Sequence, residues 1–85
     1  SEILTKSVHI KVSTLGLEES LFFSLKKIFE NHSGSCSTYI HFLRAPNEEI
    51  NVIETKYKVK PDKEFIESIE NLLGEGTIWL ELFHE

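Results

Sequence analysis

The stretch TYIHFLRAPNEEINVIET, residues 38–55, places a β-hairpin at the middle of the chain. Thr38 to Leu43 is rich in β-branched and aromatic residues, which suit a pleated, half-buried strand. Ala45-Pro46-Asn47 supplies turn chemistry, and Glu49 to Thr55 returns as the partner strand. Tyr57 and Val59 keep the alternation going beyond a bulge expected near Lys56. That leaves room for an extra short strand near Tyr57–Val59.

Outward from the hairpin, each flank reads as a strand and a helix. On the N-terminal side, Val8, Ile10 and Val12 alternate with His9, Lys11 and Ser13, the period of a strand. A turn over Ser13–Gly16 follows. Leu21, Leu25, Ile28 and Phe29 then fall at helical spacing, and Phe22 widens the stripe. Glu18 and Glu19 open that helix and Lys26 and Lys27 follow, the order a helix dipole favours. Gly34 is expected to stop it by adopting the left-handed conformation. His32, just before, is expected to meet the helix's last carbonyls. On the C-terminal side, Lys60 precedes Pro61 and is pushed toward an extended shape. Asp62 is an expected N-cap for a helix carrying Phe65, Ile66, Ile69, Leu72 and Leu73 on its apolar stripe. Gly74 ends it, Gly76 turns the chain, and Thr77 to Phe83 is a last strand.

The order is therefore β-α-β-β-α-β, in an α+β class. Two βα units around a hairpin imply a split, ferredoxin-like antiparallel sheet with both helices on one face. Residues 1–85 form a single domain, with 1–7 read as a linker or tail. At 85 residues, a chain buries roughly 60–65% of the surface its unfolded form exposes. The longest apolar run is a handful of residues, against about 20 for a membrane span, and no charged-then-apolar leader is present. A lone Cys36 forms no internal disulfide and fits a reducing, cytoplasmic setting. Acids outnumber bases 14 to 9, which argues against a principal nucleic-acid surface, since such binding rests on Lys and Arg against phosphates. The basic run Lys56, Lys58, Lys60 and Lys63 reads as a solvated edge.

No catalytic signature emerges. Acylphosphatases share this element order, but their anion cradle and partnered arginine have no counterpart in Ser13-Thr14-Leu15-Gly16, and Arg44 in the hairpin is the one arginine. No P-loop, dinucleotide fingerprint or HExxH occurs. His9 and His41 could share a sheet face and be joined by Cys36 and His84, yet no pair has zinc-site spacing, so no metal or other cofactor is expected. Glu64, Glu67 and Glu70 line one helix face, which is usually solvated; an acidic docking stripe is the sharper reading. If Ile78, Leu80 and Leu82 face the core, Trp79, Glu81 and Phe83 face outward. By the same alternation Tyr39, His41 and Leu43 join them. Trp79, Phe83, Tyr39, His41 and Leu43 are accordingly the candidate partner contact. An RNA-recognition module displays aromatics on this face too, but with a basic-Gly-aromatic signature that is lacking in this chain.

The stretch LKKIFENHSG, residues 25–34, resembles the helix and His-Pro-Gly-like stop of the C-terminal domain of the bacterial DNA polymerase III alpha subunit. Tyr39-Ile40-His41-Phe42 is similar to the strand that follows it in that family. YKVKPDKEFIESIENLLGEG, residues 57–76, resembles the family's strand, Val-x-Pro helix start and Leu-Leu-Gly ending. The likeness covers about residues 8 to 83, nearly the whole chain. Ser33 stands where the family often has proline, and Lys60 where an acidic residue is common. The resemblance implies a non-catalytic module excised from the C-terminal region of a larger DNA-directed DNA polymerase. It also implies protein contacts within the replicase, near the clamp-loader tau subunit, with weak DNA binding at best and no membrane contact. The alternative is a free-standing ligand-binding, regulatory or RNA-recognition-like βαββαβ domain.

Overall fold

The alternation of Val8, Ile10 and Val12 with His9 and Lys11 forms the centre of β1 (Thr5–Ser13) in the computed structural model, which describes residues 4–84. The elements that follow are α1 (Glu19–Asn31), β2 (Ser33–Ala45), β3 (Glu48–Val59), α2 (Lys63–Leu73) and β4 (Ile78–Leu82). The α+β class, the βαββαβ order and a split arrangement of ferredoxin-like type are all present. The expected tail is shorter than residues 1–7, because Thr5, Lys6 and Ser7 already belong to β1; residues 1–3 lie outside the described ones.

The sheet is mixed, which corrects the antiparallel expectation. Its order is β3-β2-β1-β4. β2 runs parallel to β1 as its direct neighbour, while β3 and β4 run antiparallel to β2 and β1. Helix α1 carries the chain back to the end where β1 began, so the next strand pairs in the same direction. The split unit is β3–α2–β4, whose two strands have β2 and β1 between them. Side-chain alternation has the same period in both ladder types, so it could not distinguish them.

Near Lys56 the chain bulges as expected. Between the pairs Ser37–Lys58 and Tyr39–Glu54, β3 advances four residues while β2 advances two. Tyr57–Val59 is thus the end of β3 and not an extra strand. The hairpin turn is Pro46-Asn47, with Ala45 opposite Glu48.

Both helices pack on one face of the sheet, around Val8, Ile10, Val12, Ile40 and Val59. Leu25 and Phe29 come from α1, and Phe65 and Ile69 from α2. Asp62 caps α2 by accepting from the Phe65 N–H at 2.9 Å, and Gly74 closes it at φ +111°. Gly34 has a different purpose from the one expected. Its φ is not positive, but a Cβ there would stand 2.5 Å from the Val59 carbonyl and the Lys60 nitrogen. Glycine is present because β2 and the end of β3 meet backbone to backbone. The His32 ring also departs from expectation. Only its main-chain N–H reaches Phe29 O, at 3.2 Å, while the ring turns edge-on to Phe65 with Nδ1 3.8 Å from Asp62. Among the described residues, no helix is long and apolar enough to cross a membrane.

Candidate interaction face

The sheet face away from the helices is set by ladder register. His9 on β1 stands directly opposite Tyr39 on β2 and Trp79 on β4. Lys11 is opposite His41, and Ser7 is opposite Glu81. Residues paired across a ladder point the same way, so these groups share one surface. The outward reading of Trp79, Tyr39 and His41 holds in this register, and Ile78 and Leu80 face the core opposite Ile10 and Val8.

His9 is the hub. Its ring stacks on Tyr39 (centroids 5.1 Å, 11° between planes) and on Trp79 (5.1 Å, 15°). His41 leans on Trp79 at 4.6 Å, and the Lys11 ammonium lies 5.6 Å from the indole centroid. In the row Tyr39–His9–Trp79, both faces of the His9 ring are covered. Base stacking needs free π-faces, and this row has used up both of His9's.

A hydrogen-bonded chain crosses the same surface. Ser7 Oγ donates to Glu81 Oε1 at 2.8 Å and lies 2.9 Å from His9 Nε2. His9 Nδ1 is 2.8 Å from His41 Nε2, and His41 Nδ1 is 2.5 Å from Glu49 Oε1. The Ser7 hydroxyl holds the Glu81 carboxyl below the usual carboxylate range, with smaller contributions from His9 and Lys6 set against some desolvation. Ser–His–carboxylate order invites a nucleophile reading, but the geometry opposes it. Ser7 is 3% exposed, and its Oγ is already bonded to both Glu81 and His9, so little of it is open to a substrate carbonyl.

Of the five candidate contact residues, Tyr39, His41 and Trp79 are brought together around His9. Leu43 and Phe83 are not. Leu43 lies opposite Ser13 and Glu49 at the far end of β2. Phe83 follows β4, with its N–H on Leu4 O at 3.0 Å. The residues missed from sequence were Ser7, Glu49 and Lys11. Only the pairing of β1 with β2 places them beside the rings, although two histidines sharing a face was already a signal. Cys36 lies in the core with its Sγ on Thr5 O at 3.4 Å, on the opposite side of the sheet from His9 and His41, so the four-residue ligand set is not assembled. Among the described residues, no group of three or more His, Cys, Asp or Glu could hold a metal ion.

A separate hollow of about 640 Å³ lies between the start of α1 and the hairpin turn, lined by Leu15, Leu17, Leu21, Leu43, Leu72 and Pro46 among others. Arg44 at its rim is tied to Glu48. Its lining also includes Lys11, Ser13, Glu18, Ser20, Ser24 and Thr77, whereas on the sheet face rings and polar groups are joined in one hydrogen-bonded chain. No family model and no curated protein matches the chain.

Proposed function

We propose that this chain is a non-catalytic interaction module, and that its open sheet face makes a protein contact inside a larger assembly. The observation that carries the reading is the prearranged row Tyr39–His9–Trp79, with Trp79 still 39% exposed on an uncovered face. Tyr and Trp are enriched among interface anchors because they bring a large apolar area at small entropic cost. These rings are already locked by stacking, so little freedom remains to be lost on binding.

The finer proposal follows from the resemblance to the bacterial polymerase III alpha subunit. The module belongs to the C-terminal region of a replicative polymerase, and the clamp-loader tau subunit is its partner. The net charge of −5 and the acids Glu49, Glu54 and Glu81 on the same face favour a protein over nucleic acid.

Binding of the chain to purified clamp-loader subunits, measured by titration, tests this directly. Trp79→Ala is expected to weaken binding about 30-fold, the ~2 kcal/mol of a true anchor, with the fold intact. Absence of binding to every loader subunit would remove the replicase assignment. Binding unchanged by Trp79→Ala would move the contact elsewhere, to the acidic face of α2. Anisotropy with labelled single-stranded DNA or RNA, repeated across salt, addresses the reader alternative, for which we expect micromolar affinity or weaker.

A further inference from the structure

With Glu49 and Glu81 ionised, the polar chain on the open face has a proton count that two neutral imidazoles cannot meet. Four hydrogen bonds link Glu49, His41, His9, Ser7 and Glu81 in that order. Each bond needs one proton. Ionised carboxylates have none to give, so the His41 Nδ1–H serves the Glu49 bond and the Ser7 O–H serves the Glu81 bond. Ser7 then has no second proton, and it accepts from His9 Nε2–H. One further proton lies between His9 Nδ1 and His41 Nε2. The two imidazoles together carry three ring protons, where two neutral rings carry two.

We propose that His9 and His41 form a single site for one shared extra proton, and that its release frees Glu81 from Ser7. The step balances simply. When the proton leaves for solvent, His9 keeps Nδ1–H on His41 and its Nε2 becomes a lone pair. The Ser7 hydroxyl rotates from Glu81 to that lone pair, so three of the four bonds survive. The face loses one positive charge, and the Glu81 carboxylate beside Trp79 is left with Lys6, 4.0 Å away. A second added proton has no place in the chain, because both inner nitrogens would then be donors 2.8 Å apart.

The groups around the pair divide by sign. Glu49 contacts His41 directly, and Glu81 Oε1 is 3.5 Å from His9 Nε2; both favour the extra proton. Glu54 on β3 is opposite Tyr39. Lys6 and Lys11 on β1 and Lys58 on β3 oppose it, and His84 beyond β4 lies on the same side. The side chains of His9 and His41 are only 15% and 12% exposed, so water replaces few of these interactions, and with the rings 2.8 Å apart the extra proton belongs to the pair. The partner contact proposed above includes these rings, but the proton site stands or falls separately from it.

The test is long-range proton–nitrogen NMR of the histidine rings, with Trp79 emission followed in parallel across pH. Trp79 is the chain's one tryptophan, and an imidazolium stacked on it quenches it. We expect one step in which His9 and His41 together gain a single proton, giving three N–H among four ring nitrogens. Ser7→Ala removes the acceptor that obliges His9 Nε2 to donate, and Glu81→Gln removes a facing charge at a half-buried site while keeping its shape. Each is expected to move the step to lower pH by about half a unit or more, roughly threefold in proton affinity. Two protons gained over this range, two separate steps, or a step unmoved in both variants would overturn the proposal.

Discussion

The two faces of this sheet are built on opposite rules. Under the helices, Val8, Ile10, Thr38 and Val59 are wholly buried, and the one polar side chain in that group, Thr38, hydrogen-bonds Tyr57 O at 3.0 Å. Specificity there comes from volume. On the open face, one residue along each strand, Ser7, His9, Tyr39, His41 and Trp79 are fixed by ring stacking and a directional chain of hydrogen bonds. The arrangement there is set by geometry. Alternate residues of the same strands thus belong to the packed core and to the open polar-aromatic row, so a mutation's effect depends on the parity of its position.

The largest break is expected on the covered side. Phe65→Ala empties a site of zero exposure that touches Phe29 and His32, and should cost about 3–5 kcal/mol in urea unfolding. A domain of this size is only marginally stable, so the variant should be largely unfolded at 37 °C. Gly34→Ala comes next. The new methyl group meets the backbone of Val59 and Lys60 at 2.5 Å, and backbone moves less readily than a side-chain tip. A loss of about 1–3 kcal/mol by the same measurement is expected.

Trp79→Ala sharpens the contrast. The indole is large but exposed, so its removal should cost about 0.5–1.5 kcal/mol of stability, the range of an aromatic stacking pair. A loss as large as that of Phe65→Ala would show that the open face supports the fold as much as the core does. The smallest effect concerns Glu81. Its carboxyl pKa is lowered in the folded chain, chiefly by the Ser7 hydroxyl. The resulting stabilisation is present above the unfolded carboxylate range, for as long as Ser7 stays on Glu81, and lost as pH falls through the depressed folded value. Ser7→Ala should raise the Glu81 pKa toward its ordinary value, read from its carboxyl carbon shift by NMR, and shift acid unfolding only slightly.

Much of the covered face was legible in sequence because its signals are local. Asp62 before the Phe65 stripe, Pro46-Asn47 between two alternating runs, and Gly74 after Leu73 each fix an element from its immediate neighbours. Outward placement of Trp79 followed from alternation alone. The open face was half legible. His9 and His41 could be put on one surface, but not side by side, because strand order depends on tertiary packing of α1. An antiparallel split sheet would have kept them a strand apart. The Ser7–Glu81 bond joins groups 74 residues apart, with no local trace. Gly34 was placed correctly as a needed glycine but for the wrong reason, since close approach to β3 is a long-range fact.

The pairing of Thr5 with Leu82, and the Phe83–Leu4 bond just beyond it, also has a mechanical consequence. The strands nearest the two chain ends are antiparallel neighbours, and both ends leave from the same corner. Tension applied between those ends pulls across the β1–β4 ladder and not along it. Its hydrogen bonds are therefore loaded one after another, from Thr5–Leu82 inward, as in opening a zipper. Such a module yields at low force, shedding its outer strand while the β2–β3 hairpin is still intact.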